Sequence, residues 1–286
     1  MNVSLSAWLA VCVLALSLGA GEGRAQAQTA PSIYEPSVGQ GGKDVVWVPT
    51  PQALVDKMLE MAKVTSKDYL IDLGSGDGRT VITAAKRGVR AMGIEYNPDM
   101  IELSRLNGQK EGVGDRTTFV KADLFQSDFS KATVITMFLL DRINLQLRPK
   151  ILSLKPGTRI VSNTFTMGDW SADSRVNASE TEGCQSYCVA YLWIVPAKVA
   201  GTWKLPQGEL TLKQEFQMLT GQLKTGEKSV PVTAGRVRGD ALTFTAGGVE
   251  YAGRANGDRI EGTGKDGRWV ATRTIKPATA MAPAKN

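Results

Sequence analysis

The amino-acid sequence predicts an α/β fold: a doubly wound, mostly parallel sheet followed by a small all-β antiparallel domain. Three observations lead to this prediction. Short, nearly continuous apolar runs alternate with helix-like segments between residues 68 and 196, as a parallel sheet covered on both faces requires. A glycine-rich turn follows the first of these runs. After Pro196, apolar residues alternate with period two between glycine turns, which is typical of antiparallel hairpins.

The bulk composition is that of a globular protein. The chain has 286 residues, of which 42% are hydrophobic and 22% charged, and these proportions exclude the disordered and fibrous classes. The net charge of +6 is unevenly distributed. Residues 28–200 hold 20 Lys and Arg against 19 Asp and Glu, whereas residues 201–286 hold 13 against 8. The basic excess therefore belongs to the C-terminal third of the chain.

Residues 1–27 are predicted to be a signal peptide or an N-terminal anchor. An apolar run from Trp8 to Leu18 precedes the small residues Ala25, Gln26 and Ala27, which form an A-x-A cleavage pattern. No Lys or Arg precedes the apolar run, so an uncleaved anchor is the alternative. We expect the domain to be exported to the periplasm or cell envelope if the segment is cleaved, and anchored in the inner membrane otherwise.

A linker is predicted at residues 28–45, which are rich in Gly, Pro, Ser and Gln. Pro51 is well placed as a first-turn residue of a helix, and the apolar residues after it recur at helical spacing up to Ala62. The predicted α/β domain covers residues 46–197. Its strands are predicted at 69–73, 90–96, 117–123, 132–140, 158–165 and 188–195. Its further helices are predicted at 80–87, 98–107 and 142–153.

The C-terminal domain is predicted at residues 201–274 as a small antiparallel meander or barrel with one buried face. Its turns are marked by glycines, and apolar residues alternate between them, as in Leu242 and Phe244. A disordered tail is expected from residue 275 to 286.

The stretch IDLGSGDGRT at residues 71–80 predicts a ligand site. A strand ends at Leu73, glycines follow, and a helix begins near Arg79, so the backbone passes close to a ligand at the carboxyl end of the sheet. Arg79 replaces the third glycine of the dinucleotide fingerprint. The acidic residues Asp72 and Asp77 disfavour a pyrophosphate. They favour a phosphate-free ligand that carries an ammonium and a sulfonium.

The stretch DLGSGDGR at residues 72–79 resembles motif I of class I S-adenosylmethionine-dependent methyltransferases, whose sheet is Rossmann-like. Glu95 ends the second predicted strand, 21 residues after Gly74, where an acidic side chain accepts hydrogen bonds from the ribose hydroxyls. Asp123 ends the third predicted strand, where the resemblance places a group beside the adenine. The resemblance thus implies S-adenosyl-L-methionine as cofactor, bound by ten residues: Asp72, Gly74, Ser75, Gly76, Asp77, Gly78, Glu95, Tyr96, Asp123 and Leu124.

Further motifs narrow the resemblance to one group of methyltransferases. VPTP at 48–51, DLF at 123–125, FLL at 138–140 and LKPGTR at 154–159 are similar to the mitochondrial and bacterial protein-lysine methyltransferases that act on the adenine nucleotide translocator and the ATP synthase c-ring protein. This resemblance implies transfer of a methyl group to a protein lysine amine. Asp141 stands where that group usually has a proline. A noncatalytic envelope binding module that reuses the fold is the alternative function.

Acceptor-side residues are predicted from their position at or after the ends of the fourth and fifth strands. The catalytic candidates are Asp141, Asn163 and Trp170, and Asn144 and Phe165 join them at the same edge. Positioning alone gains about 7–11 kcal/mol in such a reaction, and a neutral amine needs no general base. This suits a chain without histidine. Helix capping for Asp141 and core packing for Trp170 are the competing interpretations.

Cys184 and Cys188 remain beyond the targeting segment. They form a small disulfide in an oxidising compartment or remain two unpaired apolar residues, and the sequence leaves both interpretations open. No metal site is predicted, because the chain has no His and, beyond the targeting segment, no further Cys to complete one. The expected partner is a protein acceptor. Nucleic acid is not expected, and membrane association is open through the N-terminal segment or the basic C-terminal domain.

Overall fold

A computed structural model describes residues 34–179, 183–265 and 267–275 of the 286. The predicted α/β fold with a C-terminal antiparallel domain is confirmed: a seven-stranded sheet is followed by a closed barrel. The predicted targeting segment at 1–27, the first part of the linker and the tail from residue 276 lie outside the described residues.

The sheet runs in the order β3-β2-β1-β4-β5-β7-β6. The first five strands are parallel to one another, and β7 is antiparallel to both β5 and β6. β2 and β3 lie on one side of β1, whereas β4 and β5 lie on the other. The strand order therefore reverses at β1. The strands are β1 Tyr69–Leu73, β2 Arg90–Glu95, β3 Thr117–Lys121, β4 Val134–Met137, β5 Arg159–Asn163, β6 Ser174–Asn177 and β7 Val189–Ile194.

Four helices cover the sheet: α1 Gln52–Met61, α2 Arg79–Lys86, α3 Pro98–Lys110 and α4 Asp141–Ile151. Local sequence explains where two of them begin. Pro51 precedes α1, and its fixed φ suits a helix start. Asn97 caps α3, since its side chain accepts a hydrogen bond from the N–H of Asp99 while Pro98 occupies the first turn.

Two apolar clusters lie on opposite faces of the sheet, because successive strand residues point to opposite sides. Leu70 belongs to the cluster under α1 and α2, whereas its neighbour Ile71 belongs to the cluster under α4. Both side chains are at most 1% exposed. This burial on both faces accounts for the continuous apolar runs in the sequence.

Two differences from the sequence prediction concern the strands. β6, with the sequence SRVN, was missed because it is an edge strand with mostly exposed side chains and so carries no apolar pattern. The predicted strand at 132–140 is shorter, since β4 ends at Met137. Phe138, Leu139 and Leu140 leave the sheet at that point.

The C-terminal domain is a closed barrel in which β8 pairs with both β9 and β15. Closure leaves no free strand edge. Its strands are β8 Gly201–Leu205, β9 Gly208–Glu215, β10 Met218–Thr225, β11 Lys228–Arg238, β12 Ala241–Ala246, β13 Val249–Asn256, β14 Arg259–Gly264 and β15 Gly267–Ile275. The guanidinium of Arg273 lies 4.1 Å from the ring centre of the buried Trp203 and donates to the carbonyls of Lys198 and Ala200.

The barrel docks on the α/β domain. Phe216 of the barrel stacks on Trp170, with ring centres 6.0 Å apart, and Gln217 donates to the carbonyl of Ser171 at 2.7 Å. Arg236 pairs with Asp173 at 2.6 Å. Throughout the described ranges, no helix combines the length and the apolar character needed to span a membrane.

Candidate active site

A cavity of about 200 Å³ opens at the carboxyl end of the sheet. It lies beside β1, where the direction of progress across the sheet changes, which is the usual ligand position in a doubly wound fold. Its walls come from the segments after β1, β2, β3 and β4, and from residues 40–50. Of the ten residues predicted to bind the cofactor, nine line this cavity: Asp72, Gly74, Ser75, Gly76, Asp77, Glu95, Tyr96, Asp123 and Leu124.

The glycine turn after β1 brings the backbone to the cavity wall. Gly76 has a φ of 53°, and a Cβ there would lie 2.6 Å from Nε1 of Trp47. Gly78 caps α2 with a φ of 81°, and a Cβ there would lie 2.8 Å from the ring of Phe119. Gly78 does not line the cavity. Its role is the close packing of α2 against the sheet, where a side chain would not fit.

Asp72 is the most deeply buried carboxyl group of the cavity wall. Its side chain accepts a hydrogen bond from the hydroxyl of Thr136 at 2.6 Å. Burial raises the pKa of Asp72 to about 7, and the charges of Glu95 and Asp77 add to this rise, while the Thr136 hydroxyl opposes it. A cationic ligand would stabilise the ionised form of this carboxyl.

Glu95 is held in place by backbone donors. Its carboxylate accepts from the N–H of Gly76 at 3.0 Å, of Tyr96 at 2.8 Å and of Asn97 at 2.9 Å. These bonds link the end of β2 to the glycine turn. The carboxylate thus has a fixed orientation before any ligand arrives, and it retains free lone pairs to accept further donors.

Asp77 is neutralised by its neighbour. The guanidinium of Arg79 makes a bidentate contact with the Asp77 carboxylate, with distances of 2.6 Å from Nη2 and 3.0 Å from Nε. The same guanidinium donates to the carbonyl of Thr50 at 3.1 Å. Asp77 therefore contributes less negative charge to the cavity than the sequence suggested.

Asp123 pairs with Lys43, at 2.6 Å between Oδ2 and Nζ. The hydrogen bond from Lys43 lowers the pKa of Asp123, and the Asp123 carboxylate raises the pKa of Lys43. Lys43 also lies 5.0 Å above the ring of Tyr96. The sequence had placed Lys43 in the linker, whereas the fold brings it to the cavity.

Residues 39–50 form the N-terminal strap, a hairpin that covers one side of the cavity. It is closed by an isolated bridge between Gly41 and Val46 and by the bond from the N–H of Trp47 to the carbonyl of Gln40. Besides the Lys43 pair, Arg142 of α4 donates to the carbonyl of Asp44 at 2.6 Å. The strap is thereby attached both to the end of β3 and to α4.

Three aromatic residues line another part of the cavity. The ring centres of Phe138 and Phe165 are 6.0 Å apart, and those of Phe138 and Tyr187 are 5.1 Å apart. Cys184 and Cys188 form a disulfide on either side of Tyr187, which decides the question that the sequence had left open. Phe165 had been expected at this edge of the sheet, but Tyr187 had not.

The catalytic candidates of the sequence do not line the cavity. Asp141 is exposed and accepts hydrogen bonds from the N–H and the hydroxyl of Thr166. Asn163 is buried and donates to the hydroxyl of Thr50. Trp170 is buried between Trp193 and Phe216, at the contact with the barrel. Asp141 begins α4, but its carboxylate binds Thr166 and does not cap the helix. The positions of Asn163 and Trp170 fit strap attachment and packing, so a catalytic role for the three residues stays a prediction.

The cavity suits a phosphate-free cationic ligand. Its two cationic side chains, Lys43 and Arg79, are both paired with carboxylates, and no other Lys or Arg lines the described walls. Asp72 and Glu95 make no ion pair among the described residues. The buried hydroxyl oxygen of Ser75 also lacks a hydrogen-bond partner within the described chain. No group of metal-binding side chains occurs in those ranges either.

Comparisons with known proteins identify the family. The family model described as the ANTKMT methyltransferase domain matches residues 72–174. A protein-lysine N-methyltransferase of Saccharolobus islandicus is 43% identical over 154 residues, which are 53% of this chain and 94% of that protein. The chain belongs to the ANTKMT methyltransferase family. It is therefore an enzyme, and S-adenosylmethionine is its cofactor.

Two further proteins are similar to parts of this chain. The adenine nucleotide translocase lysine N-methyltransferase of Mus musculus is 34% identical over 35% of this chain, and the match spans 45% of its own length. The chain thus spans about half the length of that relative. Among solved structures, one titled RNA methyltransferase from Salinibacter ruber in complex with S-adenosyl-L-homocysteine is 44% identical, with a TM-score of 0.49. It is covered over 96% of its length, and the match takes in 53% of this chain.

Three side chains of this ANTKMT family site were missed by sequence reasoning: Lys43, Thr136 and Tyr187. Lys43 precedes the regular elements, in a stretch whose glycines suggested a linker. Thr136 is hidden in an apolar strand. Only Tyr187 carried a signal, because it stands beside Cys188 in a segment that a disulfide would constrain.

Proposed function

We propose that the protein transfers a methyl group to a lysine amine of a protein acceptor. The observation that carries this proposal is the 43% identity to an archaeal protein-lysine N-methyltransferase, of which 94% is covered. The more distant relative named for lysine methylation of the adenine nucleotide translocase agrees with it. The aromatic part of the cavity also suits the aliphatic stem and amine of a lysine side chain.

The residues of the chain contribute binding and placement. When bound, S-adenosylmethionine supplies a methyl group that its sulfonium already activates. Asp72 and Glu95 offer carboxylates to the cationic and hydroxyl groups of this ligand, and the strap reduces the access of water. Asp141 and Asp169, which follow β4 and β5, are the candidate general bases that the sequence offers near this edge of the sheet. Since neither lines the cavity, the lysine amine is expected to arrive neutral. The rate should then rise with pH toward the ordinary lysine pKa.

A methyl-transfer assay tests the proposal. The purified protein would be incubated with S-adenosylmethionine labelled in its methyl group and with envelope proteins, cytosolic proteins and ribosomal RNA in separate reactions. We expect label in protein only, and mass spectrometry of the labelled band should locate the methyl group on lysine. Label in RNA, or in a protein residue other than lysine, would overturn the lysine proposal.

Glu95→Gln is the matched control for that assay. Gln keeps the shape of the side chain and one oxygen for the N–H groups of Tyr96 and Asn97, but its NH2 group cannot accept from Gly76. Both the ribose contact and the link to the glycine turn are therefore weakened. We expect the transfer rate at low S-adenosylmethionine concentration to fall at least tenfold. If the label arises from a contaminating enzyme, the unmodified chain and Glu95→Gln should show the same transfer rate.

We also propose that the domain acts in the cell envelope. The Cys184–Cys188 disulfide supports this location, because such bonds persist in oxidising compartments. The A-x-A pattern at residues 25–27 agrees with it. Alkylation of free thiols in intact cells tests the proposal: Cys184 should be protected until a reductant is added. Free thiols at both cysteines in cells, together with an intact residue 1–27 segment, would contradict export.

A further inference from the structure

The aromatic part of the cavity is built from three separate segments. Phe138 follows β4, Phe165 follows β5, and Tyr187 precedes β7. All three side chains line the cavity, and Phe138 contacts the other two, with ring centres 6.0 and 5.1 Å away. Tyr187 is 43% exposed, so it lies at the mouth, between the cavity and solvent. A side chain that enters there passes the three rings.

Unfavourable backbone conformations place two of these rings. Thr164 has a φ of 60° and Tyr187 a φ of 54°. This left-handed region is rare for residues other than glycine, and especially for a β-branched one such as Thr164. Such strain persists only where the surrounding structure enforces it, and it concentrates at functional sites. At Thr164 the N–H donates to the carbonyl of Val189 at 2.7 Å, and Phe165 follows directly.

The disulfide closes the short loop that carries Tyr187. Cys184 and Cys188 are bonded, with their Cα atoms 5.8 Å apart, and both are buried in the core cluster under α1 and α2. Tyr187 is covalently adjacent to Cys188. The bond therefore anchors a short exposed loop to the core and restricts where the tyrosine ring can lie.

The chemistry of the three rings suits an amine. Ring faces attract the positive charge that develops on the nitrogen as the N–C bond forms, and they also accept the aliphatic stem of a lysine side chain. The carboxylates that line the cavity belong to the strap and to the segments after β1, β2 and β3: Asp44, Asp72, Asp77, Glu95 and Asp123. None belongs to the three segments that carry the rings. An amine that lies against the exposed faces of these rings thus has no carboxylate partner that would stabilise its protonated form.

We propose that Phe138, Phe165 and Tyr187 form the channel that receives the acceptor lysine, and that the Cys184–Cys188 disulfide is a positioning device for Tyr187. This inference rests on the proposed lysine acceptor. In the channel, the lone pair of the amine forms the new N–C bond as the C–S bond of the donor breaks. The electron pair of that bond stays on sulfur, and the amine proton leaves to water.

Substitutions of Tyr187 test the channel. Tyr187→Leu removes the ring, whereas Tyr187→Phe keeps it. We expect the KM for a lysine acceptor to rise about tenfold in Tyr187→Leu and to change less than twofold in Tyr187→Phe. The affinity for S-adenosylhomocysteine, measured by calorimetry, should be the same in both. Met218→Ala is the control, because Met218 is a comparably exposed apolar residue on the barrel, at 48%. An unchanged KM in Tyr187→Leu would overturn the channel.

Reduction of the disulfide tests the positioning role. A dithiol donates two electrons and two protons, which leaves two thiols and the oxidised reductant. We expect the dithiol to raise the acceptor KM of the unmodified chain to that of the Cys184→Ser/Cys188→Ser double variant. The double variant should not respond to the dithiol, which also controls for Cys12. A KM that is insensitive to reduction, or a parallel loss of S-adenosylhomocysteine binding, would overturn this role.

A binding measurement separates this inference from the proposed function. The complex with S-adenosylhomocysteine would be titrated by NMR with acetyl-trimethyllysine methylamide and with its neutral tert-butyl isostere. Preference for the charged probe, lost in Tyr187→Leu, supports the channel even if no lysine is methylated, in which case only the proposed function fails. Lysine methylation without any such preference would overturn the channel and leave the proposed function intact.

Discussion

At the scale of single residues, Asp72 has the most unusual environment of the site. Its carboxyl is buried, it accepts from Thr136, and its pKa is raised to about 7 mainly by burial. In the unfolded chain it ionises near its ordinary pKa of 3.8. Between these two values the folded state holds a proton that the unfolded state has lost. The contribution of Asp72 to stability therefore falls as pH rises from about 4 to 7 in the ligand-free protein.

Cofactor binding should follow the ionisation of Asp72. A cationic ligand favours the ionised carboxylate, so the affinity for S-adenosylhomocysteine is expected to rise by up to about tenfold per pH unit between pH 5.5 and 7. Calorimetry in buffers of different ionisation enthalpy should show proton release over the same range. Asp72→Asn keeps an acceptor for Thr136 but cannot ionise, and its weaker affinity should lack this pH dependence. If the affinity of both proteins depended on pH in the same way, a group other than Asp72 would be the one that titrates.

Gly76 is required by its conformation and by Trp47. In Gly76→Ala the new Cβ would lie 2.6 Å from the Trp47 indole at a φ of 53°, so the strap must shift away from the cavity. We expect the affinity for S-adenosylhomocysteine to fall more than tenfold. The control is Gly88→Ala, at a φ of 83° but with 3.7 Å to its nearest neighbour and outside the cavity. It should lose about 1 kcal/mol of stability without a change in affinity.

At the scale of elements, the strap is the part whose importance the sequence conceals. It has no helix or strand of its own beyond one bridge, yet residues 40–50 form a wall of the cavity. Arg79 and Asn163 fix its last residue, Thr50. The attachments of its hairpin are few and partly exposed: Lys43 to Asp123, and Arg142 to the carbonyl of Asp44. An element held by such contacts opens at low cost, which gives the cofactor a route in and out.

Lys43→Met should weaken the hold of the strap. Met preserves the apolar stem and removes the charge, so the ion pair with Asp123 is lost. An exposed ion pair is a weak contact, so S-adenosylhomocysteine should dissociate only a few times faster in a stopped-flow displacement experiment. Lys57→Met removes an exposed ion pair with Glu60 on α1 and should have no effect. Tighter binding in Lys43→Met would mean instead that Lys43 competes with the ligand for Asp123.

The sequence predicted the strands that are buried on both faces and also the edge strand β3, but it failed at the opposite edge of the sheet. β1 and β7 are apolar because helices or loops cover both sides, and such runs are recognisable. β6 is an exposed edge, so its residues carry no constraint that a pattern could reveal. The end of β4 was placed three residues late, because Phe138, Leu139 and Leu140 are apolar for a different reason: they turn into the cavity wall.

At the scale of the whole molecule, the barrel contacts the α/β domain through both aromatic packing and an ion pair. Trp170, a buried residue that the sequence offered as an acceptor-side candidate, stacks between Trp193 and Phe216. Asp173 accepts both from Arg236 and from the N–H of Ile194, and its side chain is 2% exposed. A buried carboxylate with these two partners ties the orientation of the barrel to the end of β7.

Phe216→Ala should uncouple the two domains. The loss of the stacked ring leaves Trp170 partly uncovered, at a cost of about 2 kcal/mol. Combined with Arg236→Ala, it also leaves Asp173 without its cationic partner. We expect differential scanning calorimetry of the double variant to show two transitions where the unmodified chain shows one. Leu106→Ala, at a 41% exposed position on α3, should leave the single transition unchanged. One shifted transition in the double variant would indicate that the domains do not unfold separately.

The sequence by itself determined the order of the elements, the glycine turn and the acidic residues at the ends of β1, β2 and β3, because periodicity and composition record local burial and local backbone demands. It did not determine which of these acidic residues remain free of ion pairs and so can bind a ligand. Only the tertiary structure paired Asp123 with Lys43, 80 residues apart, and set Tyr187 against Phe138. Contacts between distant segments depend on how whole elements pack, and no single stretch of the chain records that packing.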